Sequence, residues 1–255
     1  MIFNTHTHIN SEEMYREHET FLKRAQEEGV SKFLVVGYDL ESSKRAIEIA
    51  KKHKSVYASV GLCPTELYKM DKIEYDEFES LLNDERVVAI GEVGLDYYYE
   101  TTNKQQQKEC LIKFFDMAKK YDLPVLIHCR DAIKDCLDIL KEQNISKGIM
   151  HCYSGSVEMA REFIKQGLYI SLAGPVTFKN AKTPKEVARE IDLEYLLVET
   201  DDPYLSPTPF RGQKNEPKNV IYVVKEIANL KGVEYEEVAE ATTQNALKVL
   251  GLCEK

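Results

Sequence analysis

The residues with the clearest chemical potential stand at the start of the chain, where His6 and His8 end a short apolar segment. Side chains two positions apart on a β-strand point to the same face, so this pair would present two imidazoles to one point. Two neutral imidazoles form half of a site for zinc, manganese or iron. A pair of exposed terminal histidines is the alternative interpretation, and the rest of the chain must decide between them.

Short apolar segments recur along the chain, and each is followed by an amphipathic segment. Several are nearly continuous in Val, Ile and Leu, as expected for parallel strands that are buried on both faces. Helical periodicity is clearest over about residues 103–121 and again over about residues 131–143. Ser11 is expected to cap the first helix and Gly29 to end it. The predicted strands are residues 2–6, 32–37, 56–61, 87–92, 124–128, 148–151, 168–172 and 195–200.

Eight strands that alternate with helices predict an α/β fold, the (β/α)8 TIM barrel, and the 255 residues of the chain match the usual length of that fold. No linker or low-complexity segment interrupts the pattern, so we predict a single TIM-barrel domain over residues 1–255. An open doubly wound sheet is the alternative, but no glycine-rich dinucleotide loop follows the first strand.

Residues of metal-ligand type stand at five of the predicted strand ends. In a TIM barrel the carboxyl ends of the strands meet at one rim, which carries the active site. A single strand-end histidine is more often a satisfied core residue, but six ligand types at matching positions are hard to obtain by chance. The remaining histidines, His18 and His53, fall in helical segments and are expected to be solvated surface residues. The six candidate metal ligands are His6, His8, Glu92, His128, His151 and Asp201.

Four imidazoles and two carboxylates suit two divalent ions better than one, with zinc, manganese or magnesium as the candidates. Glu92 is the natural bridge, because its carboxylate has one oxygen for each ion. Two such ions lower the pKa of a bound water and stabilise the attacking and leaving oxygens of a displacement. Asp201 could bind one ion and accept the proton of that water. Glu92 and Asp201 are therefore the predicted catalytic residues of a metal-assisted hydrolase.

Five motifs in combination resemble the TatD family of metal-dependent deoxyribonucleases, within the wider amidohydrolase-like barrels. The resemblance runs in order over essentially the whole chain, and a glutamate at the end of strand four, instead of a lysine, favours this branch. It implies hydrolysis of phosphodiester bonds in DNA with two divalent ions, and the metal ligands of the family fall on the six residues selected from the strand ends. The motifs are NTHTHI, GEVGLDYYY, PVLIHCRDA, HCYSGS and ETDDPYLSP.

Two positions depart from the pattern of that family. Asn4 stands where the family usually has an aspartate that orients the histidine ligands, so ligand basicity or metal preference is expected to differ. Cys63, in the segment GLCP, replaces a histidine of a GxHP motif that helps to bind the substrate phosphate. Because a thiol is not a cationic donor, substrate affinity or specificity is expected to change while the metal ligands stay in place.

Four residues are predicted to contact the substrate. Arg130 follows His128 by two positions and could grip a phosphate, with a structural salt bridge as the equal alternative. Arg211 lies in a basic loop after the last strand, which could steer an anionic substrate or be a solvated loop. Tyr97 begins a run of three tyrosines that could stack on bases, and Cys63 completes the set.

Composition and net charge limit the functions and cellular locations that remain possible. A net charge of −9 argues against broad adhesion to nucleic acid, but it allows a DNA substrate because a carboxylate-rich site is acidic until its metals bind. We expect a reduced cytoplasmic protein with no secretory signal, no membrane association and no obligate protein partner. The competing function is an amidohydrolase-like enzyme that cleaves a C–N or ester bond in a small molecule. A binding module that retains metal without turnover is disfavoured by the presence of Asp201.

Overall fold

The chain folds into one barrel of parallel strands. The structure is a computed structural model that describes residues 1–70, 72–99 and 103–253. Over these residues eight parallel strands pair in sequence order. The last strand lies against the first, where the Thr5 hydroxyl donates to the Val198 carbonyl at 3.0 Å, so the barrel is nearly closed. The strands are β1 (Ile2–Thr7), β2 (Val30–Val36), β3 (Val56–Val60), β4 (Val87–Asp96), β5 (Val125–Arg130), β6 (Gly148–Met150), β7 (Leu168–Leu172) and β8 (Leu196–Val198).

Helices follow the strands and form the outer layer. The predicted α/β architecture, a (β/α)8 TIM barrel, is therefore confirmed for the described ranges. None of the helices in those ranges combines the length and hydropathy that a membrane span requires. The α-helices are α1 (His18–Glu27), α2 (Leu40–Lys52), α3 (Pro64–Leu67), α4 (Tyr75–Leu81), α5 (Lys104–Tyr121), α6 (Ile133–Glu142), α7 (Val157–Lys165), α8 (Lys182–Glu190), α9 (Val220–Lys231) and α10 (Tyr235–Val249).

Two apolar clusters hold the barrel together. The smaller one fills the interior with residues such as Phe3, Leu126 and Leu197, and Ala246 of α10 joins it. The larger one, which includes Ile2, lies between strands and helices. Neighbouring residues of one strand thus enter different clusters, as the alternation of a strand buried on both faces requires.

The pairing of β1 with β2 contains an irregularity that matters for the site. Between Asn4 and Thr7 the first strand advances three residues while β2 advances two, which is a β-bulge. A bulge changes the face to which the following side chains point. Phe3 lies in the interior, and strict alternation from it would direct His6 outward. With the bulge, the His6 imidazole instead reaches a carboxylate oxygen of Glu92 at 3.6 Å.

Three local predictions need correction. Strand β4 continues four residues beyond the predicted end, because Gly94, with φ +156°, lets it pass so close to β5 that a Cβ atom would lie 1.9 Å from the His128 carbonyl oxygen. Ser11 does not cap the first helix. Its carbonyl accepts the Met14 amide in a turn, and α1 begins only at His18. His18 is buried, so the expectation of a solvated residue is wrong there.

Candidate metal centre

The structure brings the six predicted ligands together at the carboxyl ends of the strands. They lie in the second half of a strand or within three residues after its end, and their side-chain exposure runs from 0% for His6 to 17% for His128. Such burial keeps the imidazoles and carboxylates in fixed positions relative to one another. Strands β1, β4 and β5 carry His6, Glu92 and His128, while His8, His151 and Asp201 follow β1, β6 and β8.

The Glu92 carboxylate lies between two groups of ligands. Its Oε2 atom is 3.6 Å from the Nε2 atoms of both His6 and His8. Its Oε1 atom is 2.7 Å from His128 Nδ1 and 3.1 Å from His151 Nε2. Asp201 Oδ1 joins the first group, at 3.5 Å from His8 Nε2 and 3.8 Å from His6 Nε2. The geometry therefore divides the ligands into two sets that share one glutamate.

The hydrogen bonds made by the ring nitrogens of three of these histidines indicate whether the two ligand sets fit metal ions. Three of the rings place one nitrogen on an oxygen acceptor, so in the neutral ring that nitrogen carries the proton and the other presents a lone pair. The lone pairs converge on one another and on carboxylate oxygens, an arrangement that divalent cations stabilise and for which imidazole and carboxylate are suitable ligands. The pairs are His8 Nδ1 with the Val36 carbonyl, His128 Nε2 with Asp96 and His151 Nδ1 with Glu199, each at 3.0 Å.

Comparisons with known proteins agree with this geometry. The family model of "TatD related DNase" matches residues 3–251. The chain belongs to the TatD family. It is 45% identical over 251 residues to the uncharacterized metal-dependent hydrolase YabD of Bacillus subtilis, with 98% of each chain covered. It is 36% identical to the uncharacterized metal-dependent hydrolase YcfH of Escherichia coli K12, covering 96% of this chain and 93% of the relative. It also resembles the crystal structure of the TatD homologue YjjV from Escherichia coli K12, with a TM-score of 0.94, 29% identity and 99% and 98% of the two chains covered.

Two carboxylates that support the ligands of this TatD protein were missed by sequence reasoning. Asp96, at the end of β4, holds His128, and Glu199, directly after β8, holds His151. Glu199 also accepts the backbone N–H of Cys152 at 2.8 Å, and its side chain is fully buried. The only local signal for each was its spacing, since Asp96 follows Glu92 by four residues and Glu199 precedes Asp201 by two.

Replacing Glu199 by glutamine is expected to weaken metal binding about 10- to 100-fold, because the neutral amide removes the negative charge that makes the His151 ring a more basic ligand. The exposed Glu194→Gln change nearby is the matched control. Metal affinity, measured by titration of chelator-treated protein with zinc, checks this effect. Equal affinities of the two variants and the wild type would show that Glu199 has only a packing role.

Asn4, the first departure from the TatD pattern, ties β1 to the loop that carries Asp201. Its amide nitrogen donates to the Thr200 hydroxyl at 2.8 Å, and its amide oxygen accepts the Thr200 backbone N–H at 3.1 Å. An aspartate could not make the first of these bonds from its side chain, since an ionised carboxylate has no donor. Both hydrogen bonds of Asn4 therefore hold the loop that follows β8 in place. The Asn4 amide oxygen also lies 3.4 Å from the backbone nitrogen of His6.

Cys63, the second departure, lies beside the metal ligands. Its sulfur, a Glu92 oxygen and a His128 nitrogen are all within 4.8 Å of one another. Burial, and then the charge of Glu92, raise the pKa of the Cys63 thiol well above its usual range. The thiol is therefore neutral without bound ions, and it lies 3.1 Å from the Thr65 hydroxyl. Its contact with substrate stays a prediction.

The other predicted substrate residues lie in different surroundings. The half-buried Tyr97 donates its hydroxyl to Asp135 of α6 at 2.8 Å, and Lys104 Nζ lies over its ring, 4.2 Å from the centroid. Its stacking on a base stays a prediction. The guanidinium of Arg130 instead lies over the exposed ring of Tyr98, 3.8 Å from its centroid. Arg211 is exposed, packs over the Phe178 ring at 4.1 Å, and stays a predicted contact.

Without bound ions, opposite charges balance within the cluster. Burial disfavours a charged His128 ring, but hydrogen bonds to Asp96 and Glu92 outweigh it and raise the pKa of His128 to about 9. Burial also opposes protonation of His151, yet the Glu92 and Glu199 carboxylates raise its pKa well above the usual range. For Glu92, burial works against ionisation, but His151 and His128 hold its pKa well below the usual range. Protons and metal ions therefore compete for the same nitrogens.

Chelator-treated protein is expected to lose stability as the pH rises from about 6.5 to about 9. The pKa of His128 lies above its ordinary value of 6.5 in the folded state, so its contribution is complete below pH 6.5 and lost as the pH passes through about 9. Metal-loaded protein should gain stability over the same range, because deprotonated ligands bind ions more tightly. Melting temperatures of both forms across this range provide the measurement. A flat profile for the chelator-treated form would contradict the prediction.

Proposed function

We propose that this protein hydrolyses phosphodiester bonds in DNA by attack of a metal-activated water. The observation that carries the proposal is the Glu92 carboxylate, whose two oxygens face two separate histidine pairs, with Asp201 beside one of them. These residues would hold divalent ions, which would stabilise the attacking and leaving oxygens of a displacement at phosphorus. The description of the family as related DNases also supports this substrate class.

The surroundings of Arg130 support a nucleotide substrate. Arg130 is the last residue of β5, two positions after His128, and its guanidinium lies 3.8 Å and 4.7 Å from the ring centroids of Tyr98 and Tyr99. Both rings are largely exposed, at 55% and 66%. A guanidinium can bind a phosphate through two hydrogen bonds, and open aromatic faces can stack on bases. Of the three tyrosines predicted to stack on bases, we therefore assign this role to Tyr98 and Tyr99.

The residues of the site have distinct roles in this reaction. Bound divalent ions supply Lewis acidity and lower the pKa of water. Asp201 is the more exposed of the two carboxylate ligands, at 14% against 6% for Glu92. Burial opposes its ionisation, but the hydrogen bond to His8 helps to hold the pKa of Asp201 below the usual range. It is therefore ionised and can take the proton of the attacking water as the new P–O bond forms and the old one breaks. Arg130 would hold the phosphate, and the complete burial of His6 keeps bulk water away from its imidazole.

A comparison of substrates tests the proposal. Purified protein loaded with zinc or manganese should cut single-stranded DNA and bis-nitrophenyl phosphate, and a chelator should stop both reactions. The competing function, cleavage of an amide or lactone in a small molecule, is favoured by the net charge of −9. Turnover of an amide or lactone with no cleavage of either phosphodiester would overturn the DNA proposal.

Arg130→Ala is expected to raise KM for a phosphodiester about tenfold or more, a loss of at least about 1.4 kcal/mol of binding free energy. Metal content should stay at the wild-type level, because Arg130 is not among the ligands. Lys134→Ala is the matched control, since it removes a cation from α6 that is 77% exposed. Steady-state kinetics with bis-nitrophenyl phosphate measure the effect, and an unchanged KM would remove Arg130 from the substrate contacts.

We also infer the setting in which the enzyme works. All six cysteines are free thiols, as expected for a reducing compartment such as the cytoplasm. The partner we propose is DNA or another phosphodiester, with neither a membrane nor an obligate protein subunit required. Expression of a tagged protein followed by fractionation of the host cell would test this location.

A further inference from the structure

A second group of ligand atoms lies outside the barrel centre, on the outer helices. His18 and Glu19 are the first two residues of α1, and His53 follows the last residue of α2. Glu19 Oε1 is 3.5 Å from His18 Nε2 and 3.2 Å from His53 Nε2. The three ligand atoms all lie within 4.8 Å of one another. None of these residues takes part in the site assigned to hydrolysis.

The contacts of His18 orient its ring so that the Nε2 atom faces this group. His18 Nδ1 lies 2.6 Å from the Tyr15 carbonyl oxygen, which can only accept, so the proton of the neutral ring resides on Nδ1. Stacking on the Tyr15 ring, with centroids 5.4 Å apart and 14° between planes, fixes the orientation of the imidazole. The remaining nitrogen, Nε2, is buried and has no hydrogen-bond partner among the described residues. A buried lone pair without a donor is costly, and a cation would satisfy it.

The distances within the group match those of a metal site. Four ligands placed tetrahedrally around zinc at about 2.0 Å lie roughly 3.3 Å from one another. The separations of Glu19 from the two histidines, 3.5 Å and 3.2 Å, agree with this spacing. The planes of the His18 and His53 rings are inclined at 80°, with the ring centroids 6.1 Å apart.

We propose that His18 Nε2, Glu19 and His53 Nε2 bind a divalent transition-metal ion, with zinc as the preferred ion and water as the fourth ligand. Two imidazoles and one carboxylate favour zinc, copper or nickel over magnesium and calcium, which prefer oxygen ligands only. Because the ligands come from two helices, the bound ion joins the start of α1 to the end of α2. It therefore stabilises the fold and takes no part in the barrel chemistry.

A hydrogen bond from the His53 ring to Glu19 is the competing explanation of this contact. It accounts for the 3.2 Å distance, but it leaves His18 Nε2 without a donor. The two explanations differ in one measurable property, which is whether the protein holds a zinc ion that depends on Glu19.

The deciding experiment counts zinc in the full-length protein. Chelator-treated wild type, Glu19→Gln and His53→Ala are dialysed against zinc, and the bound metal is counted by mass spectrometry. Each variant should bind one equivalent less than the wild type, with unchanged hydrolysis of bis-nitrophenyl phosphate. Glu27→Gln, which removes another exposed carboxylate of α1, is the matched control and should bind as much as the wild type.

Repeating the comparison in a Glu92→Ala background keeps the barrel ligands from masking the result. There, zinc should raise the melting temperature of the parent, and Glu19→Gln should abolish that rise. Since the Glu19 side chain is 63% exposed, Glu19→Gln is expected to fold normally, and it decides the question even if His53→Ala is unstable. Equal zinc content and equal thermal shifts with and without Glu19 would overturn the proposal.

Discussion

Replacing Glu92 with alanine is expected to lower hydrolysis by about three orders of magnitude or more and to remove most of the bound metal, while the barrel stays folded. The reason is the position of its carboxylate. One oxygen lies 3.6 Å from the imidazoles of His6 and His8, and the other lies within 3.1 Å of His128 and His151. Loss of this side chain deprives both ligand sets of their shared anion.

The effect of Glu92→Ala is measured by metal content, by turnover of bis-nitrophenyl phosphate and by circular dichroism. Glu92→Gln is a useful second variant, since it keeps the volume and one ligating oxygen but removes the charge. Glu85→Ala, an exposed glutamate just before β4, is the control for general effects of such a change. Unchanged turnover in folded Glu92→Ala protein would rule out the bridging role.

Asp201→Asn is expected to reduce kcat by about 100- to 10,000-fold while metal content falls much less. An asparagine oxygen can still ligate an ion near His8 and His6, but the amide cannot accept a proton from water. The change should therefore affect the chemical step more than the assembly of the site. The acidic limb of the pH–rate profile, where protonation of the Asp201 carboxylate stops it from accepting a proton, should disappear in the variant.

Single-turnover rates and metal analysis of the same Asp201→Asn preparation separate these effects. Asp76→Asn, at an exposed position of α4, serves as the control for an aspartate-to-asparagine change. A loss of rate that only matches the loss of metal would make Asp201 a plain ligand and leave the proton acceptor elsewhere.

Asp96 and Glu199, the two carboxylates that hold ligand histidines, were not predicted from the sequence, and the reason lies in how each kind of residue is positioned. The residues that ligate stand at strand ends, so a local pattern of apolar strand followed by polar residue selects them. Asp96 and Glu199 act through the second nitrogen of a histidine that is 32 or 48 positions away in the chain. Such pairs depend on which strands are neighbours and on how far each strand extends. Because the fourth strand was predicted to end at residue 92, Asp96 was not recognised as part of it.

Strand periodicity and ligand type are local properties of the chain, so they were sufficient to predict the barrel and the six residues that meet at its rim. Other features of the site depend on contacts between distant segments. The tertiary structure placed a bulge in β1 that brings His6 to Glu92, directed Tyr97 to Asp135 and left Tyr98 beside Arg130. It also joined two histidines from separate helices, for which no local pattern exists. These outcomes depend on strand register and helix packing, which arise only when distant segments meet.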